Sequence, residues 1–150
     1  MIPESVVKER VEAFPEMCRR AGLKVTHQRT AVYSMLAGTD THPCPEEVYE
    51  SIRPSLPSIS LATIYKILDL FHSHGFVRRL STKDQVARYD ANLDIHHHMI
   101  CTSCGGIDDV DAGALPPPRL EDLPFPASQC EVLFYGMCPA CHETGVAHHA

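Results

Sequence analysis

In the first half of the chain, apolar positions recur at helical spacing and are punctuated by residues that start and stop helices. Residues 4–21 carry Val7, Val11, Phe14 and Met17 about a turn apart, with Pro15 expected to kink or break the run and Gly22 placed to end it. Thr26 suits the cap of a second helix over 28–37, with Val32, Met35 and Leu36 inward, and Gly38-Thr39-Asp40 closes it. Pro45 suits the first turn of a third helix, where Glu46 and Glu47 complement the positive end of its dipole. Val48, Tyr49 and Ile52 carry it to Pro54. After a Pro/Ser-rich loop, Ser60 caps a fourth helix over 61–74, with Leu61, Ile64, Leu68 and Phe71 on one stripe and Gly75 at its end. The pattern then shortens to strands at Phe76–Leu80 and Val86–Asp90, joined by Ser81–Gln85. Helices followed by a β-hairpin predict a winged helix over residues 1–89.

The remainder reads differently. His98–Cys101, Ile107–Asp111 and Glu131–Met137 are strand-like, separated by Pro116-Pro117-Pro118 and a loop to Pro126. The pattern predicts an α+β protein: a winged helix and then a small α/β domain over 90–150. No internal repeat is visible, and the tail after His142 reads as frayed.

Charge sharpens the division. Residues 1–90 hold 12 Lys+Arg and 11 Asp+Glu, whereas residues 91–150 hold one and eight, within a net charge of −6. A nearly neutral half with local cations can dock on phosphates, and an acidic half cannot. Apolar runs are too short to cross a bilayer. The first residues lack the layout of a signal peptide, so a cytoplasmic location is expected. Seven cysteines could suggest disulfides, but the number is odd, and four of them form two C-x-x-C pairs. Metal binding is the better reading in a reducing compartment.

Cys101-Thr-Ser-Cys104-Gly and Cys138-Pro-Ala-Cys141 are knuckles whose tight turns can aim four sulfurs at one ion. Such an S4 set is a closed structural zinc site. The 33 residues between the knuckles exceed the usual gap, and an inserted strand pair would account for them. A small domain rich in proline would depend on that Zn2+. The competing interpretation is redox pairs or buried thiols.

A second donor set is chemically distinct. On a strand, His96 and His98 share a face opposite His97. Asp90, Asp94, Asp108, Asp109 and Asp111 flank the first knuckle in sequence. Imidazole and carboxylate suit Fe2+ or Mn2+. The bland alternative is a solvated edge strand. Cys18 reads as core. His72 and His74 favour a helix C-terminus. Cys44 is a weak candidate for a thiol sensor.

The motifs Leu23-Lys-Val-Thr-His-Gln-Arg29, Thr41-His42-Pro43, Ile59-Ser-Leu-Ala-Thr-Ile-Tyr65, Arg88-Tyr-Asp90, His96-His-His-Met-Ile-Cys-Thr-Ser-Cys-Gly105 and Tyr135-Gly-Met-Cys138 together resemble the ferric uptake regulator family. The resemblance spans about residues 6–142. It implies a bacterial homodimeric repressor with an N-terminal winged helix and a C-terminal dimerisation domain. The ligand types look most like the peroxide-sensing branch, in which three His and two Asp hold a regulatory Fe2+ or Mn2+. Those positions match His42, Asp90, His96, His98 and Asp109. Iron sensors more often carry Glu at the places of Asp90 and Asp109. A further metal site of many iron sensors does not carry over, because its histidines fall at Ile95 and Cys130. The three consecutive prolines forbid the helix the family usually has there, so a remodelled dimer interface is expected.

By the same resemblance, the fourth helix would enter the major groove of double-stranded DNA. Ser60, Ala62, Thr63, Tyr65, Lys66 and Arg29 are the candidate DNA-binding residues, and Arg78 and Lys83 could grip the backbone. A dimer would read an AT-rich inverted repeat. His42 and His96 would be the oxidation-sensing ligands. Two rivals remain open at this level. His96, His98 and a carboxylate could be the facial triad of an iron oxygenase or hold a hydrolytic zinc, although about 60 residues around a structural zinc leave little room for a substrate pocket. A zinc-stabilised interaction module without a regulatory metal is the other.

Overall fold

A computed structural model describes residues 2–81, 86–115, 124 and 132–144. Contacts divide the chain into Met1–Leu93 and Asp94–Ala150.

The first unit opens with α1 (Glu4–Arg20), α2 (His27–Ala37), α3 (Pro45–Ile52) and α4 (Leu61–Ser73), then β1 (Arg78–Ser81) and β2 (Ala87–Asp90). The strands form an antiparallel hairpin in the register Arg78–Asp90 and Leu80–Arg88. Helices closed by this hairpin make a winged helix. Capping explains the helix starts. Thr26 Oγ1 accepts from the Arg29 amide at 3.3 Å, and Ser60 Oγ accepts from the Thr63 amide at 3.1 Å. Gly22 and Gly75 take the left-handed φ of 68° and 70° that ends α1 and follows α4.

Of the two effects open to Pro15, a break does not occur: α1 runs to Arg20, in line with the helix read over 4–21. The helix runs through it because Phe14 and Cys18, on either side, are both buried in the core. That anchorage outweighs one missing backbone hydrogen bond. Phe14 stacks on Tyr33 at 4.5 Å between ring centroids and meets Phe71 and Phe76 edge-on. Val32, Leu36, Val48, Ile64, Leu68 and Val77 complete the core.

The chain leaves this unit under restraint. Arg10 Nη2 donates to Asn92 Oδ1 at 2.9 Å, and Arg78 Nη2 donates to the Leu93 carbonyl at 2.7 Å. The segment after β2 therefore stays with the helices as far as Leu93.

The second unit contains β3 (His96–Cys101), β4 (Ile107–Asp111), a 3-10 turn at Ala112–Ala114, β5 (Leu133–Gly136) and α5 (Pro139–Thr144). The sheet order is β4-β3-β5, with β3 antiparallel to β4 and parallel to β5. The residues between the knuckles thus include two strands that flank β3 rather than pair with each other. Pro116–Pro118, Lys83 and Cys130 lie outside the described residues.

Candidate metal centres and nucleic-acid face

The parallel pairing of β3 with β5 assembles the sulfur cluster. It sets Cys101, the last residue of β3, opposite Gly136, two residues before Cys138. Cys104 follows on the turn after β3, and α5 carries Cys141. One sulfur from each of the four cysteines lies within 4.8 Å of every other, and Cys104 Sγ stands 3.9 Å from Cys138 Sγ. Tetrahedral thiolates around zinc, with Zn–S near 2.3 Å, sit about 3.8 Å apart. The donor set therefore fits Zn2+ in both chemistry and spacing. The Cys138 amide donates to Cys101 Sγ at 3.3 Å, and this bond, with one from the Cys104 amide, pulls the Cys101 thiol down to about 6. A hydrogen bond from Ser103 draws the Cys141 thiol down, but Cys138, burial, Cys104 and Cys101 outweigh it and push it up to about 12. Thiolates this close repel one another, and a divalent cation relieves that repulsion.

The second cluster stands on β3 and β4. Antiparallel register sets His98 opposite Asp109 and His96 opposite Asp111. His96 and His98 share a face, and their Nε2 atoms are 2.9 Å apart. Asp109 Oδ1 lies 3.5 Å from His96 Nε2 and 3.8 Å from His98 Nε2. His96 Nδ1 is 2.8 Å from the Asp94 carbonyl, an acceptor only. This contact orients the ring so that Nε2 faces the cluster. With metal–nitrogen bonds near 2.1 Å, ligands at right angles sit about 3.0 Å apart, so these imidazoles fit adjacent positions on one ion. The nitrogen and oxygen donors suit Fe2+ or Mn2+.

The other candidate ligands belong to the first unit. His42 lies between α2 and α3, is buried, and holds φ at 51°, the left-handed region that residues other than glycine seldom adopt. Such strain persists where surrounding structure enforces it, often at functional sites. Asp90 ends β2, buried, with Oδ1 accepting from the Asn92 amide at 2.7 Å. Of the residues of the unmatched further metal site, Ile95 is 77% exposed.

The candidate DNA face follows α4. Ser60 caps it, and Ala62, Tyr65 and Lys66 are exposed, with Thr63 partly so. Arg29 Nη1 donates to the Lys24 carbonyl at 2.6 Å, so this guanidinium also braces the turn before α2. Two contacts had no sequence signal. Tyr65 Oη donates to Glu46 Oε1 at 2.7 Å, and Arg88 Nη1 donates to Glu47 Oε2 at 2.9 Å. Their partners lie 19 and 41 residues apart.

Residues 20–118 match the model of the ferric uptake regulator family. The chain belongs to this family. It is 33% identical to the peroxide-responsive repressor PerR of Staphylococcus epidermidis, over 95% of this chain and 96% of that one. The ferric uptake regulator of Helicobacter pylori superposes with a TM-score of 0.72 at 26% identity, covering 95% of this chain and 97% of that one. PerR from Streptococcus pyogenes superposes with a TM-score of 0.53 at 29% identity, covering 88% and 92%. Members of the ferric uptake regulator family are dimeric DNA-binding repressors that respond to metal, not enzymes. No helix among the described residues is long and apolar enough to cross a membrane.

Proposed function

We propose that this protein is a cytoplasmic metal-dependent repressor that holds Zn2+ permanently, binds operator DNA when loaded with Fe2+ or Mn2+, and releases it on exposure to peroxide. The observation that carries this reading is the separation of donors into an all-sulfur cluster and a nitrogen–oxygen cluster with nothing shared. Cys101, Cys104, Cys138 and Cys141 would hold the zinc. His96, His98 and Asp109 would hold the regulatory ion together with His42 and Asp90 from the other unit. An ion bound by all five would tie the halves together and favour the conformer in which two α4 helices of a dimer match an AT-rich inverted repeat. About 3–4 kcal/mol of differential binding would change occupancy by about two to three decades.

The two aspartates and the PerR relatives support peroxide sensing. Fe2+ held by these ligands would supply the chemistry that activates peroxide beside the two histidines. The ring of His42 or of His96 would take up one peroxide oxygen at a ring carbon, a two-electron oxidation of the ring, while the other oxygen leaves as water. That ring would then lose donor strength and the clamp would open. The sulfurs, shielded in the zinc cluster, would react later. A repressor of iron or zinc uptake is the second reading, favoured by the higher TM-score with the H. pylori regulator.

The test combines metal analysis with binding to a duplex selected from a random pool by the Mn2+-loaded protein. Binding is expected to require a second divalent ion and to fall steeply with salt. His42→Ala should keep the zinc and the fold yet lose about two to three decades of metal-dependent affinity. After brief peroxide, peptide mass spectrometry should find one added oxygen at His42 or His96 with Fe2+ and not with Mn2+. DNA release with both rings intact, or with Cys44 oxidised first, would overturn the peroxide reading. If neither oxidation nor release occurs, metal-level sensing replaces it.

A further inference from the structure

The connection that carries His42 is fastened to two elements of the first unit. The Pro43 carbonyl accepts from the Tyr89 amide on β2 at 3.1 Å. Glu47 Oε2 accepts from the Cys44 amide at 2.8 Å and from Arg88 Nη1, also on β2, at 2.9 Å. One residue earlier in the first turn of α3, Glu46 Oε1 accepts from Tyr65 Oη on α4 at 2.7 Å. Adjacent carboxylates thus face in different directions. Glu47 joins α3 to the wing strand, and Glu46 joins it to the exposed side of α4.

A place in the first turn of α3 suits Glu46 to the helix dipole, but that role does not call for a bond to α4. Glu46 is exposed, and Glu47 already caps the α3 N-terminus. A carboxylate beside a helix that approaches DNA also repels phosphates. The counterpart, Tyr65, is 42% exposed, so packing alone does not hold its ring. A phenol donating to a carboxylate makes a short, charge-assisted bond that can hold it. The bond keeps the carboxyl ionised and the phenol protonated. Tyr65 lowers Glu46 below the ordinary carboxylate range, and Glu46 raises Tyr65 above the ordinary phenol range.

We propose that Glu46 is a positioning and specificity-determining residue for DNA recognition: it fixes the Tyr65 ring for base edges and keeps the hydroxyl from phosphate. The inference rests on the DNA-binding reading above. With Glu46 in place, the phenol has one partner and one orientation, set by the same turn of α3 that is bonded to the His42 connection. Without it, the ring samples other rotamers, and its hydroxyl is available to any phosphate, a contact blind to sequence. Loss of the negative charge also removes a penalty that falls on every duplex. Affinity for a selected sequence and affinity for arbitrary DNA should therefore move in opposite directions.

The experiment uses the full chain loaded with Zn2+ and Mn2+. Its probes are a duplex selected by the wild-type protein from a random pool and a scrambled duplex of the same composition, at one salt concentration. Glu46→Ala should lower the ratio of the two affinities about tenfold, by weaker binding to the first and tighter binding to the second. Glu46→Gln keeps an acceptor for the phenol and should recover at least half of that loss on a logarithmic scale. In a Tyr65→Phe background, Glu46→Ala should leave the ratio unchanged, because the bond it breaks is already gone. Thermal midpoints should stay within about 2 °C, since both groups are exposed. An unchanged ratio in Glu46→Ala, or additive effects in the double variant, would overturn the proposal. If Glu46→Ala fails to fold, the cycle of Glu46→Gln with Tyr65→Phe decides the same question. If the wild-type chain discriminates no duplex, the DNA reading fails and takes the proposal with it. That outcome is separable, because it appears before any substitution is made.

Discussion

Residues 1–93 bury the rings of Phe14, Tyr33, Phe71 and Phe76 against one another, with aliphatic side chains from every helix around them. Residues 94–150 have nothing comparable among their described residues. Ile100, Cys101 and Ile107 are buried there, and the other buried side chains are His96, His97 and His98. One unit can fold by removing apolar surface from water, and the other is organised around donor atoms. The difference also separates two sets of candidate metal ligands. The four sulfurs come from one unit, gathered by a single β3–β5 pairing. The histidines and carboxylates matched by resemblance are divided between both units. As proposed above, the first set would stabilise one unit, whereas an ion held by the second would report on the arrangement of both.

The sharpest way to break this comparison is Cys104→Ser. Structural zinc contributes about 10–16 kcal/mol to folding in small zinc domains, so losing one sulfur should cost the second unit its order and the protein its dimer. The helices of the first unit should survive. Circular dichroism would then show most helical signal retained while zinc stoichiometry falls. A folded dimer with full zinc would show that the sulfurs do not hold that unit together.

Much of this contrast was legible in the chain. The knuckles announce themselves by spacing, and Thr26 and Ser60 mark helix starts because capping is local chemistry. His96 and His98 were readable as a pair because strand alternation has period two. The extent of α1 was readable, but not whether Pro15 would interrupt it. That depends on what Phe14 and Cys18 touch after folding. The parallel partnership of β3 with β5 was also hidden, since alternation says which face a residue takes and not which strand lies beside it. The bond between Glu46 and Tyr65 joins two helices, and no local pattern encodes it.

Phe71→Ala probes the other side of the comparison. Phe71 is fully buried, with ring centroids 5.5 Å from Phe14, 5.9 Å from Tyr33 and 5.8 Å from Phe76. Removing such a ring costs about 3–5 kcal/mol through lost burial and the cavity left behind. Helical signal should melt at lower temperature while the zinc remains bound to its four cysteines. Loss of zinc in parallel with the helices would show that the units fold as one and would remove the basis of the comparison.

The smallest expected effect separates stability from recognition within the first unit. Ser60 Oγ accepts from the Thr63 amide at 3.1 Å and lies 2.8 Å from Thr63 Oγ1. Ser60→Ala should cost about 1 kcal/mol, the usual value of an N-cap, and lower the midpoint of the helical transition by about 4–8 °C. It should also weaken DNA binding if Ser60 contacts DNA, as the family resemblance implies. Ser60→Asp resolves the two roles. Aspartate caps as well as serine, and its charge suits the helix N-terminus, so stability should return. The same charge faces phosphates, so DNA affinity should fall below that of Ser60→Ala. Calorimetry and binding measured on both variants would then move in opposite directions. If affinity follows stability in both, Ser60 acts on DNA only through the fold of α4.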